Sequence, residues 1–93
     1  MGDLRKDPRY IEAQRIFDMA GINPEEHWAI PSDPHAVQNL RAAAAYLAAS
    51  DDPDAEVFLE LVLNQYVGSK YRAQVETDIR LIAKAARRRV GEK

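Results

Sequence analysis

The chain of 93 residues contains no cysteine. Disulfides, cysteine-ligated zinc and thiol nucleophiles are excluded together, and the lack fits a reducing, cytoplasmic setting. Its four glycines, Gly2, Gly21, Gly68 and Gly91, are scattered, so no glycine-rich loop is present to cradle a phosphate. Its three serines, Ser32, Ser50 and Ser69, lie outside any nucleophile elbow. The two histidines, His27 and His35, lack the i, i+4 spacing of a helical metal pair. No apolar run approaches the ~20 residues of a membrane-spanning helix, and no charged-then-apolar leader opens the chain, so neither a span nor a secretion signal is expected. The length implies one domain with a modest core, because a chain of this size buries only ~60–65% of the surface its unfolded form exposes. These deficits point away from an enzyme and from a bound cofactor or metal.

What is present begins with punctuation. Four of the five prolines follow Asp or Asn, in Asp7-Pro8, Asn23-Pro24, Asp33-Pro34 and Asp52-Pro53. An Asp or Asn N-cap accepts hydrogen bonds from the free N–H groups of a first helical turn, and proline at the next position loses no helical bond. Each pair therefore predicts a helix start. Gly21, Gly68 and Gly91 are expected at helix ends in the left-handed conformation.

The segments so delimited carry helical periodicity. In Pro8–Ala20, Tyr10, Ala13, Phe17 and Ala20 form one stripe. Pro24–Ala29 predicts a short helix. In Pro34–Ala49, Val37, Leu40, Ala44 and Leu47 share a face, and the many alanines leave the helix thin enough for close approach. Pro53–Val67 is apolar nearly all round, the pattern of a central, buried helix. From Ser69 to Val90, Tyr71, Val75, Ile79, Ile82 and Ala86 make a near-heptad seam. The fold class expected is all-α: a bundle of four main helices and one short helix, residues 1–6 and 91–93 frayed. At ~1.5 Å per residue the last helix reaches roughly 33 Å and the Pro34–Ala49 helix roughly 24 Å, so the end at Arg87–Val90 is expected to overhang.

Charge is segregated along the chain. Residues 1–69 carry five basic and twelve acidic side chains, whereas residues 70–93 carry eight basic and three acidic ones. One explanation is internal, since acids near helix N-termini and bases near a C-terminus favour the helix dipole. The functional alternative is a basic stripe: Arg80, Lys84, Arg87 and Arg88 stand at i, i+4, i+7 and i+8, away from the apolar seam. With Lys70, Arg72 and Arg89 they form the candidate surface for an acidic protein or for phosphate. The only tryptophan, Trp28, is a candidate partner anchor or a lid on the core.

Residues 58–79 invite comparison with helix-turn-helix proteins but depart from that pattern at Asn64, Ser69, Gln74 and Thr77. The bases also gather away from the N-terminal part of the final helix, where a recognition helix reads DNA. A zinc site of Glu26, His27, Asp33 and His35 has no spacing that demands it. The acidic run Asp51, Asp52, Asp54, Glu56 and Glu60 lacks the glycine and order of a calcium loop. The function expected is a non-catalytic protein-interaction module: a small adaptor, regulator or inhibitor, bound to a protein partner or to itself as a homodimer. The alternative expectation is a nucleic-acid-binding protein that uses the basic final helix. Fifteen alanines, and nine arginines against four lysines, look like the amino-acid usage of a GC-rich bacterial genome or of a phage or other mobile element of such a host.

Overall fold

A computed structural model describes residues 4–20 and 34–91. The fold is all-α: α1 (Pro8–Met19), α2 (Pro34–Ala49), α3 (Pro53–Tyr66) and α4 (Arg72–Gly91), with a 3-10 turn at Leu4–Lys6 before α1. No strand occurs among the described residues. The short helix expected at 24–29 lies outside them, as do Trp28, His27 and Gly21.

The Asp-Pro signals act as their chemistry requires. Asp7 caps α1 through a 2.8 Å bond from the Arg9 N–H, and Asp52 caps α3 through a 2.9 Å bond from the Asp54 N–H. In both, the cap residue is extended and proline opens the helix. The glycines depart from expectation. Neither Gly68 nor Gly91 is in the left-handed region, and Gly91 is the last residue of α4. Helix α3 ends instead on an extended Val67, φ -113° and ψ 129°. Val67 is buried, and the extended exit lets its side chain join the core. Tyr71 N–H then bonds the Gly68 carbonyl, and α4 starts at Arg72 rather than Ser69.

The order of burial also differs from the periodicity reading. Helix α2, not α3, is the central element: Ala36, Leu40, Ala43, Ala44, Ala45, Ala48 and Ala49 are buried, and α1, α3 and α4 all pack on it. Helix α3 is an outer helix. It buries Ala55, Leu59, Val62 and Leu63 and leaves Val57 55% and Leu61 61% exposed. The reason is volume, since alanine lets neighbouring backbones approach on several sides of one helix, whereas leucine and valine all round would hold them apart.

Named contacts give the directions. Tyr10 of α1 meets Tyr46 of α2 edge-on at 5.4 Å, and Asp18 accepts from Arg41 at 2.6 Å, so α1 and α2 run antiparallel. Tyr46 meets Phe58 at 5.3 Å, and Asn39 donates to the Tyr66 hydroxyl at 3.1 Å, so α2 and α3 are antiparallel as well. Burial pushes the Tyr10 phenol above its ordinary pKa. On α4, Val75, Ile79, Ile82, Ala83 and Ala86 face inward, the expected seam with Ala83 added.

The end of α4 does not overhang. Ala86 is fully buried, Arg87 Nε donates to the Ala48 carbonyl at 3.0 Å, and Arg89 Nη1 lies 3.7 Å from Glu12 on α1. Helix α1 and the α2–α3 connection extend beside this end, so α2 alone does not set the height of the bundle. No helix among the described residues is long and apolar enough to cross a membrane.

Candidate functional site

The basic residues singled out by sequence divide into a tied set and a smaller set without ties. Glu56 accepts two bonds from Arg80, at 2.9 and 2.7 Å, and Glu76 accepts a third at 3.2 Å. The Arg80 bonds hold the Glu56 carboxyl below the usual carboxylate range, and the same pairing raises the Arg80 pKa. Arg72 donates to Glu60 and Asn64. Arg87 donates to Asp51 at 2.6 Å as well as to Ala48. These ties link α4 to α3 and to the α2–α3 connection, although the two helices themselves touch little. The charge split along the sequence is thus largely consumed by cross-helix pairing.

Arg87 has a second role that periodicity does not reveal. Helix α2 has no basic residue in its last turn, and its final carbonyls need donors from elsewhere. Arg87 supplies one to Ala48, and Arg9 Nη2 supplies another to Ala49 at 2.9 Å. Two cations from flanking helices thereby cap the negative end of the central helix. Arg9 is itself held by Asp7, whose carboxyl the Arg9 bonds keep below the usual range.

Among the described residues Lys84 and Arg88 form no ion pair, and Lys70 lies 5.6 Å from the centre of the neighbouring Tyr71 ring. Lys84 and Arg88 sit beside a side chain that sequence reasoning missed. Leu81 is 58% exposed and falls outside the α4 seam. Its position off the heptad was the available signal. Leu81, Lys84 and Arg88, at i, i+3 and i+7, form one outward stripe. On α3 the matching outward stripe is Asp54, Val57 and Leu61; its apolar members were legible as apolar but not as exposed. The Asp54 carboxylate has no ion-pair partner among the described residues.

Two clefts flank the start of α3. One, about 270 Å³, opens between the α2–α3 connection and α4, with Leu47, Ala55 and Ala83 among the residues lining it. Its charged lining is balanced: Asp51, Asp52 and Glu56 against Arg80, Lys84 and Arg87. The other, about 330 Å³, lies under the N-terminal turn, lined by Leu4, Tyr46 and Phe58 with Asp52 and Asp54. Ser50 Oγ, common to both clefts, accepts from the Asp52 N–H at 3.0 Å. No group of three His, Cys, Asp or Glu side chains that could hold a metal occurs among the described residues. Of the zinc set drawn from sequence, only His35 is described, and it is exposed on α2. Trp28 lies outside the described residues, so its role as anchor or lid has no structural account.

No family model, no curated protein and no solved structure matches the chain.

Proposed function

We propose that this chain is a non-catalytic protein-interaction module, of the adaptor, regulator or inhibitor kind, that binds a protein through the outward surfaces of α3 and α4. The observation that carries this reading is the exposure of Val57, Leu61 and Leu81 on two adjacent helices. Large apolar side chains grouped on one face and rimmed by charge mark a surface that another protein covers. On α1 the exposed Ile11 and Met19 are instead separated along the helix by the charged Arg15. The nucleic-acid alternative has less support, because carboxylates already occupy Arg72, Arg80, Arg87 and Arg89 and would have to be displaced by phosphate.

Site-directed photocrosslinking tests the reading. A photoreactive residue at position 61 is expected to form a protein adduct in extract of the source cells, and one at position 15 is not. Leu61→Asp, read with a crosslinker at position 57, should abolish the adduct. Equal capture from positions 61 and 15, or none from 61, would count against it. A low-salt gel shift that responds to neutralising Lys84 and Arg88 together would favour the nucleic-acid alternative.

A further inference from the structure

We propose that the cleft under the N-terminal turn receives an arginine or lysine side chain from a basic and apolar segment of the protein partner. This rests on reading the outer surface of α3 as an interaction face, and goes further by naming the chemistry of what binds there.

The cleft is walled mainly by carbon. Leu4 bounds it from the N-terminal turn, Ala55 and Phe58 from α3 and Tyr46 from α2, around a volume of about 330 Å³. Ligand pockets run from about 300 to 1,000 Å³, so this one suits a single long side chain rather than a cofactor. Tyr46 and Phe58 are each only half-buried, and their rings meet at 83° with centroids 5.3 Å apart. Two rings at nearly a right angle form a corner, and an aromatic face carries the negative part of the ring quadrupole. A cation on an apolar stem, as in arginine and lysine, is matched to such a corner.

Charge decides between an apolar visitor and a cationic one. The charged residues lining this cleft are Asp52 and Asp54, with no base opposite them. The cleft on the α4 side of α3 instead sets Arg80, Lys84 and Arg87 against its acids. Asp52 Oδ1 accepts from the Asp54 N–H at 2.9 Å, which leaves Asp52 Oδ2 and both Asp54 carboxylate oxygens open to a donor. Neither residue forms an ion pair among the described residues. The positive end of the α3 dipole offsets only about half a charge, so the mouth of the cleft stays negative. Nearby bases do not cancel it, because Arg9 is held by Asp7 and the Ala49 carbonyl, and Arg5 and Lys6 do not line the cleft. A phosphate-bearing partner has the wrong sign for this site.

The rest of the partner segment is read from α3. Glu56, Glu60 and Asn64 face α4 through their bonds to Arg80 and Arg72. Phe58 comes four residues after Asp54, and Leu61 three after Phe58, so these three succeed one another along the opposite flank. Phe58 therefore leads from the cleft to Leu61, which with Val57 is more than half exposed. A segment whose cation enters the cleft lays its apolar neighbours on Leu61 and Val57. Helix α3 carries Asp54, Glu56 and Glu60 and no base, so nothing on it repels such a segment.

Proton–nitrogen correlation NMR of the full chain tests this. The probe is a short acetylated and amidated peptide of alternating leucine and arginine, compared with its citrulline counterpart, which has nearly the same shape and no charge. The arginine peptide is expected to shift the amide signals of Asp52, Asp54, Phe58 and Leu61. The citrulline peptide should bind at least about fivefold more weakly, because charge-assisted hydrogen bonds and the cation–ring attraction are lost. Asp54→Asn, which keeps the backbone bond to Asp52, should weaken the arginine peptide by a similar factor and leave the citrulline peptide near its wild-type affinity. Asp18→Asn removes the same charge at the other end of α1 and should change neither. Signal changes confined to other helices, equal binding of the two peptides, or indifference to Asp54→Asn would each overturn the proposal. So would the absence of any response to the arginine peptide at millimolar concentration. If position 61 still yields a protein adduct in that case, the interaction reading stands and only the basic occupant falls.

Discussion

Helices α2 and α3 invert the usual link between hydrophobicity and burial. Helix α3 carries the bulky apolar residues Val57, Phe58, Leu59, Leu61, Val62 and Leu63, yet it is peripheral, with two of them more than half exposed. Helix α2 carries seven alanines in its sixteen residues, with only Leu40 and Leu47 as large aliphatics in its central turns, and it is central. Burial in a small bundle follows how many neighbours a helix can accept at close range. Six alanines of α2 are buried and join one core with Leu59, Leu63, Val75 and Ile79 of the outer helices. The apolar surplus of α3, Val57 and Leu61, is left exposed.

Four experiments break or sharpen that comparison. The largest effect should come from Ala44→Leu in α2, where added methylenes have no space and overpacking costs about 1–3 kcal/mol. A lowered denaturant midpoint checks it, and an unchanged midpoint would show that α2 is not packed at contact on that side. Next, Arg87→Met removes a cationic donor from the Ala48 carbonyl while keeping much of the stem, at a cost of about 1–2 kcal/mol. Arg88→Met, which breaks no ion pair, should leave thermal stability near wild type. The same midpoint separates capping of α2 from general charge.

Acid should produce a smaller effect. Glu56 and Asp7 are held below their ordinary pKa by arginine, so they bind fewer protons folded than unfolded. The stability they add is present above the unfolded carboxylate value and is lost as the pH falls through about 4 and below. Both carboxylates are partly or largely solvated, so each contributes about 1 kcal/mol or less. Glu56→Gln should flatten the acid side of the melting-temperature profile; an unchanged slope would show that the α3–α4 tie adds nothing to stability. Smallest of all should be Leu61→Ala, within about 0.5 kcal/mol at a few micromolar protein, because the side chain is outside the core. A large loss there would place α3 deeper than the structure does.

Much of the fold was legible. Asp7-Pro8 and Asp52-Pro53 mark helix starts because capping is local chemistry, complete within three residues. The α4 seam was legible because a single helix face repeats at a fixed angle. The left-handed ends expected at Gly68 and Gly91 failed, since glycine permits that conformation without requiring it, and the buried Val67 drew the chain out extended. The candidate site was legible only in part. The bases were visible as a stripe, but whether each would meet solvent or a carboxylate depended on Glu56, Glu60 and Asp51, which lie up to 36 positions away.

The sequence by itself determined where α1, α2 and α3 begin, most of the residues of α4 that face inward, and that charge would be divided between body and final helix. Those properties depend on neighbours within a turn or two. Only the tertiary structure decided which helix would be central, which arginines would be consumed in ties and caps, and which apolar residues would remain outside. Each of those depends on side-chain volume and reach across helices that no single segment contains, and they left Val57, Leu61 and Leu81 exposed.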